Sequence, residues 1–126
     1  MIDKVGAVVI KDRKMLVVRE KGSQWFFIPG GRREGNESDE ECLRREIREE
    51  LGAEIEIVNF YNEFVTKASG IKGKVKVRAY FCKMKNKPKP GSEIEEFAWA
   101  DGSFDKRKLG NVLKVMIPQL KKDGRL

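Results

Sequence analysis

The sequence predicts an α/β fold in which helices pack on a mixed β-sheet. Short apolar runs with strand-like alternation fill much of the chain, while residues 39–51 and 111–122 switch to helical spacing. The resulting order of strand, strand, helix, strands, helix suits a sheet covered by helices. At 126 residues, with no internal repeat and no long linker, the chain is the size of one compact domain, 1–126.

Each element has its own justification. Val5 to Ile10 and Met15 to Arg19 read as strands joined by the polar turn Lys11-Asp12-Arg13-Lys14. Trp25 to Ile28 reads as a short third strand before Pro29-Gly30-Gly31 breaks regular structure. Ser38 with Glu41 forms a capping box, Leu43, Ile47 and Leu51 make an apolar stripe, and Gly52 stands where a helix terminates, so a helix is expected over Asp39 to Leu51. Ala53 to Lys67 and Lys72 to Met84 read as two long strands paired around Ser69-Gly70. In the second, Val75, Val77, Ala79 and Phe81 alternate with Lys74, Lys76, Arg78 and Tyr80, one face packed and the other wet. The lysines and prolines of 83–93 read as an exposed loop, and Ile94 to Ala100 as a further strand. Asn111 to Lys122 carries Val112, Val115, Met116 and Leu120 at helical spacing, with Pro118 as a kink.

Composition narrows the chemistry. With 40% hydrophobic and 37% charged residues the chain is that of a soluble globular protein, and no apolar run approaches the roughly 20 residues of a membrane span. The opening apolar stretch is only a strand's length and no cleavage site follows it, so the expected address is cytoplasmic. Cys42 and Cys82 lack metal-like spacing and are expected as buried free thiols. The absence of histidine excludes Ser-His-Asp, Cys-His and histidine-zinc chemistry, leaving carboxylates, lysines or a hard metal ion. A formal charge of +7 suits an anionic partner such as a phosphate, although lysines that only confer solubility give the same balance.

The informative segment runs from Gly31 to Ala53. Glu46, Glu49 and Glu50 lie at offsets of three and four and project from one side of the helix. Like charges at these offsets repel, and Glu49 and Glu50 sit in the last turn, where the macrodipole disfavours anions. A hard divalent cation would relieve both, and a carboxylate cluster without histidine or thiolate selects magnesium or manganese. Charge pattern alone also allows a merely solvated helix, with Glu41–Arg45 and Arg45–Glu49 as four-residue ion pairs.

The complete spacing decides between these. Gly31, Glu37, Arg45, Glu46, Ile47, Glu49, Glu50 and Gly52 fall in register on the box of the Nudix family, which this segment closely resembles. Ala53, smaller than the aliphatic residue usual there, is the one departure. The resemblance implies a Nudix-type α/β/α sandwich and a magnesium-dependent hydrolase, manganese being the alternative ion. Its substrate would be a nucleoside diphosphate linked to a further group. It further implies that Gly31, Glu46, Glu49 and Glu50 bind the metal, that Arg45 orients a glutamate by a salt bridge, and that Glu37 and Gly52 support the box. The proton acceptor would be Glu49 or Glu50, with Glu93, Glu95 and Glu96 as further candidates.

Beyond the box the sequence says less. No flanking signature of ADP-ribose, coenzyme A or dinucleoside polyphosphate hydrolases is present, which favours a nucleoside triphosphate or related nucleotide. Arg19, Lys21, Arg32 and Arg33 are placed to reach phosphates, Lys74, Lys76 and Arg78 form a basic row, and Tyr80 is an aromatic that could stack on a base. Trp25, Phe26 and Trp99 share that last property but suit the core as well. The net charge and the lysine-rich loop keep open a nucleic-acid partner, as an RNA 5′-end hydrolase or an RNA-binding protein. A non-catalytic nucleotide sensor and a homodimer also stay open.

Overall fold

In the computed structural model, which describes residues 1–126, β1 (Ile2–Lys11) and β2 (Lys14–Glu20) form a hairpin. Its two turn residues, Asp12 and Arg13, have positive φ of 52° and 62°, the backbone that matches a two-residue turn to strand twist. Next come β3 (Gly30–Gly31), α1 (Asp39–Leu51), β4 (Ile55–Lys67), β5 (Lys74–Met84), β6 (Ile94–Ala100) and α2 (Asn111–Lys122). The sheet order is β4-β5-β1-β2-β6, with β3 on β1. β1 runs parallel to β5, from Ile2 opposite Val75 to Val9 opposite Cys82, and the other pairs are antiparallel. This is a mixed sheet between two helices, as the sequence predicts.

β1 is buried on both faces because helices cover both. Val5, Ala7 and Val9 pack with Cys42, Leu43, Ile47 and Leu51 of α1, whereas Val8 packs with Leu113, Met116, Ile117 and Leu120 of α2. α1 begins with the expected capping box, Ser38 accepting from the Glu41 N–H and Glu41 from the Ser38 N–H, and ends at Gly52 in the left-handed region. Cys42 and Cys82 are buried free thiols. α2 runs through Pro118 to Lys122. No helix is long and apolar enough to cross a membrane.

Two expectations change. Trp25 to Ile28 is not a strand; it makes only single bridges, Phe27 to Val18 and Phe26 to Leu109. The ladder forms at Gly30–Gly31 instead, opposite Gly6 and Val5. Gly30 sits at φ 142°, and a Cβ there would lie 2.0 Å from the Val5 carbonyl oxygen. The feature that reads as a strand breaker is thus what allows so close a pairing. The wet face of β5 is partly covered by the start of α1, since Arg78 and Tyr80 both bond Asp39. The lysine-rich loop is exposed as expected, but its backbone is tied to the end of α1. The Lys89 and Gly91 N–H groups donate to the carbonyls of Leu51 and Glu50 at 2.8 and 2.7 Å, meeting acceptors that a helix end leaves open.

Candidate active site

α1 and the glycine pair of β3 build the site together. Glu46 and Glu50, four residues apart on α1, turn their carboxylates toward Gly31 and Gly30 respectively. The Gly30 N–H donates to Glu50 Oε1 at 2.8 Å. A Cβ on Gly31 would lie 2.4 Å from Glu46 Cδ, so the space a side chain would take is filled by the carboxylate. Glu49 is exposed and leans back toward Arg45. The three carboxylates are therefore on one side of the helix but not gathered into one cluster.

Arg45 is the hub that keeps them apart. Its Nε and Nη2 donate to the two oxygens of Glu37 at 2.6 and 2.9 Å, a fork-on-carboxylate pair. Its Nη1 donates to Glu46 at 3.0 Å and reaches Glu49 at 3.3 Å, and Nη2 also donates to the Arg32 carbonyl at 3.1 Å. The four-residue pair Glu41–Arg45 does not form, because Glu41 is engaged in the capping box. Arg45 holds the Glu37 carboxyl down at about 2, helped by the Glu34 N–H. Glu37 is thus a permanent anion that fixes the guanidinium, which in turn fixes Glu46, Glu49 and the glycine loop.

Glu50 behaves in the opposite way. Burial pushes its carboxyl up to about 8; the Gly30 N–H and Lys4 oppose this, and the negative charges of Glu46 and Glu20 add to it. Glu46 is also raised by burial, against the pull of Arg45. Glu50 has no cationic partner within ion-pair distance, which sets it apart from Glu37, Glu46 and Glu49.

Two cavities flank this centre. One, of about 200 Å³, lies between the sheet and the start of α2 and is lined by Lys4, Glu20, Phe27, Gly30, Glu50 and Asn111 among mainly apolar neighbours. The other is an open groove of about 750 Å³ that includes Arg32, Arg33, Glu37, Lys72 and Lys74.

A profile of the NUDIX domain matches residues 2–103. The chain belongs to the Nudix hydrolase family. Solved structures with the same fold include the MutT Nudix hydrolase from Burkholderia pseudomallei, at 19% identity and TM-score 0.81, covering 94% of this chain and 97% of that one. The MutT protein from Methanosarcina mazei Go1 gives 18% identity and TM-score 0.81, covering 99% and 96%. An ADP-ribose pyrophosphatase from Streptococcus suis gives 20% identity and TM-score 0.67, covering 99% and 92%. At these identities the likeness is one of fold. A comparison with curated protein sequences returned no match.

Within this Nudix frame the residues expected from sequence divide cleanly. Gly31, Glu37, Arg45, Glu46 and Glu50 meet at the glycine loop, with Glu49 tied to them through Arg45, and Gly52 closes the helix. Arg32 and Arg33 line the groove beside it. Arg19 and Tyr80, read as substrate contacts, line neither cavity. Arg19 is held by Glu96 at 2.6 Å and the Ser23 carbonyl at 3.0 Å, and the Tyr80 hydroxyl donates to Asp39 at 2.6 Å. Both side chains are committed to tying elements together. Lys4, Glu20 and Asn111 border the small cavity although nothing in their sequence context singles them out; only the β1–β2 pairing and the start of α2 bring them there.

Proposed function

We propose that this Nudix hydrolase is a magnesium-dependent pyrophosphohydrolase that cleaves the phosphoanhydride of a nucleoside diphosphate derivative by attack of water on phosphorus, a nucleoside triphosphate being its simplest substrate. The observation that carries this reading is the placement of Glu46 and Glu50 against Gly31 and Gly30, with Glu50 half-buried and lacking a cationic partner within ion-pair distance.

The donors suit a hard divalent ion. They are oxygens throughout: the carboxylates of Glu46, Glu49 and Glu50 and the Gly31 carbonyl. The chain has no histidine, and the thiol of Cys42 is pushed up to about 11 by burial, so it stays protonated and donates toward the Gly31 carbonyl. Such a set favours magnesium or manganese over zinc. A bound divalent ion would neutralise charge developing on the phosphates and acidify a water molecule.

The chain's own groups supply the rest. Glu37 holds Arg45, and Arg45 holds Glu46 and Glu49 on one guanidinium, from which a bound cation would draw them. Glu49, exposed beside this pair, is placed to take the proton from the attacking water, while Glu50 stays against Gly30. The mainly apolar cavity beside Glu50 fits a nucleoside, with Asn111 and Lys4 as polar contacts and Phe27 as an apolar wall.

The test is release of phosphate or pyrophosphate from a panel of nucleotide diphosphate derivatives, with magnesium and with chelator, by wild type, Glu49→Gln and Glu50→Gln. Activity should require the cation and fall at least roughly a hundredfold in both variants, the scale for losing a metal ligand or general base. Turnover that survives chelation, or two variants with near-normal rates, would refute it.

A further inference from the structure

We propose that the groove beside the glycine loop holds a phosphorylated group lying beyond the cleaved bond, so that the substrate is a nucleotide whose diphosphate continues into a polyanionic moiety. This deepens the pyrophosphohydrolase reading and rests on it.

Two stretches of chain line both cavities in sequence. Gly30 and Gly31 border the small cavity, and the next two residues, Arg32 and Arg33, border the groove. Ser69 and Ile71, in the turn after β4, border the small cavity, while Lys72 and Lys74 border the groove. A ligand that starts in the apolar cavity and passes Gly30, Gly31 and Glu50 therefore runs on into the groove along the same two stretches of chain.

The groove is cationic in a way the sequence conceals. Arg32 and Arg33 belong to one basic pair and Lys72 and Lys74 to another, about 40 residues away in the chain, yet they face one space. Its two carboxylates are already engaged. Asp3 is bound by Arg78 at 2.9 Å and approached by Lys76 at 3.6 Å and Arg33 at 3.7 Å, and Glu37 is bound by Arg45 at 2.6 Å. Arg32, Lys72 and Lys74 are exposed and have no carboxylate within ion-pair distance. Arg32, Lys72 and Lys74, brought together from two stretches of chain and each without an ion-pair partner, repel one another, and a bound polyanion removes that cost. At about 750 Å³ the groove is within the size range of pockets for extended ligands and exceeds what a lone phosphate would fill. An uncharged sugar in the same place would leave the cations unpaired. The recognised chemistry is a chain of phosphates, which a dinucleoside polyphosphate and a 5′-triphosphorylated RNA share.

The experiment compares wild type with Lys72→Ala/Lys74→Ala and with the charge-reversed Lys72→Glu/Lys74→Glu. The kcat/KM is measured over a range of salt concentrations for a dinucleoside tetraphosphate, a 5′-triphosphorylated oligoribonucleotide and a nucleoside diphosphate sugar. Binding of inorganic tripolyphosphate is measured by calorimetry without divalent cation. The preference for at least one phosphorylated substrate over the sugar should fall about tenfold in the alanine variant and further in the reversed one, and the logarithmic salt slope should drop by about 1 per lysine removed. Whichever substrate responds identifies the source of the phosphate chain. An equal effect on all three substrates, or none on any, with tripolyphosphate affinity unmoved, overturns the inference. If wild type hydrolyses nothing yet binds tripolyphosphate through these lysines, the anion groove stands and the hydrolytic reading falls. Hydrolysis with lysine-insensitive preference refutes the groove alone.

Discussion

Glu50→Gln isolates the energetic tension in this site. The Glu50 carboxyl moves from an ordinary value of 4.5 to about 8, first through burial and then through Glu46 and Glu20, with the Gly30 N–H and Lys4 opposing. In the cation-free protein the folded state therefore holds this proton more tightly than the unfolded chain does. The stabilisation is complete below about 4.5 and is lost as pH rises toward and through about 8. At about 1.4 kcal/mol per pKa unit, the full shift corresponds to about 5 kcal/mol; because Glu50 is only half-buried, solvent screening reduces this to on the order of 2–4 kcal/mol. Glutamine is the neutral isostere of the protonated acid and retains an acceptor for the Gly30 N–H. With chelator present, Glu50→Gln should match wild type at about pH 4 and exceed it at about pH 9 by that amount, or roughly 5–15 °C in Tm. Saturating magnesium should close the gap from the wild-type side, since an ion bound only by the folded state stabilises it by mass action. The assay is calorimetric or spectroscopic unfolding of both proteins at the two pH values, with chelator and with magnesium. A glutamine variant clearly less stable than wild type at pH 9 would mean that the charged carboxylate makes a favourable structural bond, and the picture of a site awaiting a cation would be wrong.

Three further outcomes follow from the geometry. Gly31→Ala places a methyl group 2.4 Å from Glu46 Cδ, so it should displace that carboxylate and cut magnesium-dependent turnover about 10- to 100-fold while the protein still unfolds cooperatively; activity assays paired with thermal melts test this. Arg45→Lys keeps the charge but cannot bond both oxygens of Glu37 and also reach Glu46 and Glu49, so magnesium affinity should weaken by about tenfold or more in titration calorimetry, whereas unchanged affinity would deny Arg45 its positioning role. Gly91→Ala sets a Cβ 2.1 Å from the Glu49 carbonyl, a backbone atom that cannot swing away, so denaturant unfolding should show a loss of about 1–3 kcal/mol and faster exchange of amides in the last turn of α1.

How far the sequence could be read depends on the range of the interactions involved. The bounds of α1 were legible because its capping box and its terminating glycine act within a few residues. The box glutamates and Arg45 were legible through spacing on a helix face. Other features required contacts that no local pattern encodes. The basic row of β5 looks uniform in sequence, yet Arg78 is drawn onto Asp3 and Asp39 while Lys74 faces the groove with Arg32 and Arg33. Tyr80 reads as a stacking surface until Asp39, 41 residues earlier, takes its hydroxyl. The last-turn position of Glu50 suggested a penalty from the helix dipole; the structure places the penalty in desolvation, because β3 folds over that side of α1 and brings Gly30 against the carboxylate. The lysines and prolines of 83–93 marked an exposed loop, but not the backbone bonds by which Lys89 and Gly91 close the end of α1.

The same geometry explains how three carboxylates can share one helix face before any ion arrives. They are kept from repelling one another by different means: Glu46 and Glu49 share the guanidinium of Arg45, and Glu50 is separated from them by burial that favours its proton. Arg45 has its remaining donors on Glu37 and the Arg32 carbonyl, so it has none left for Glu50. On the proposed reading, a cation binding here would draw Glu46 and Glu49 from Arg45 and compete with the proton that burial favours on Glu50. On that proposal its affinity would depend on how firmly Glu37 keeps Arg45 in place and on how β3 covers Glu50, so Glu37→Gln should weaken magnesium binding in titration calorimetry. Loop, helix and helix end each contribute to the Nudix box: the loop supplies the glycines and Glu37, which anchors Arg45, the helix supplies the three glutamates proposed as ligands, and Gly52 in the left-handed region ends the helix.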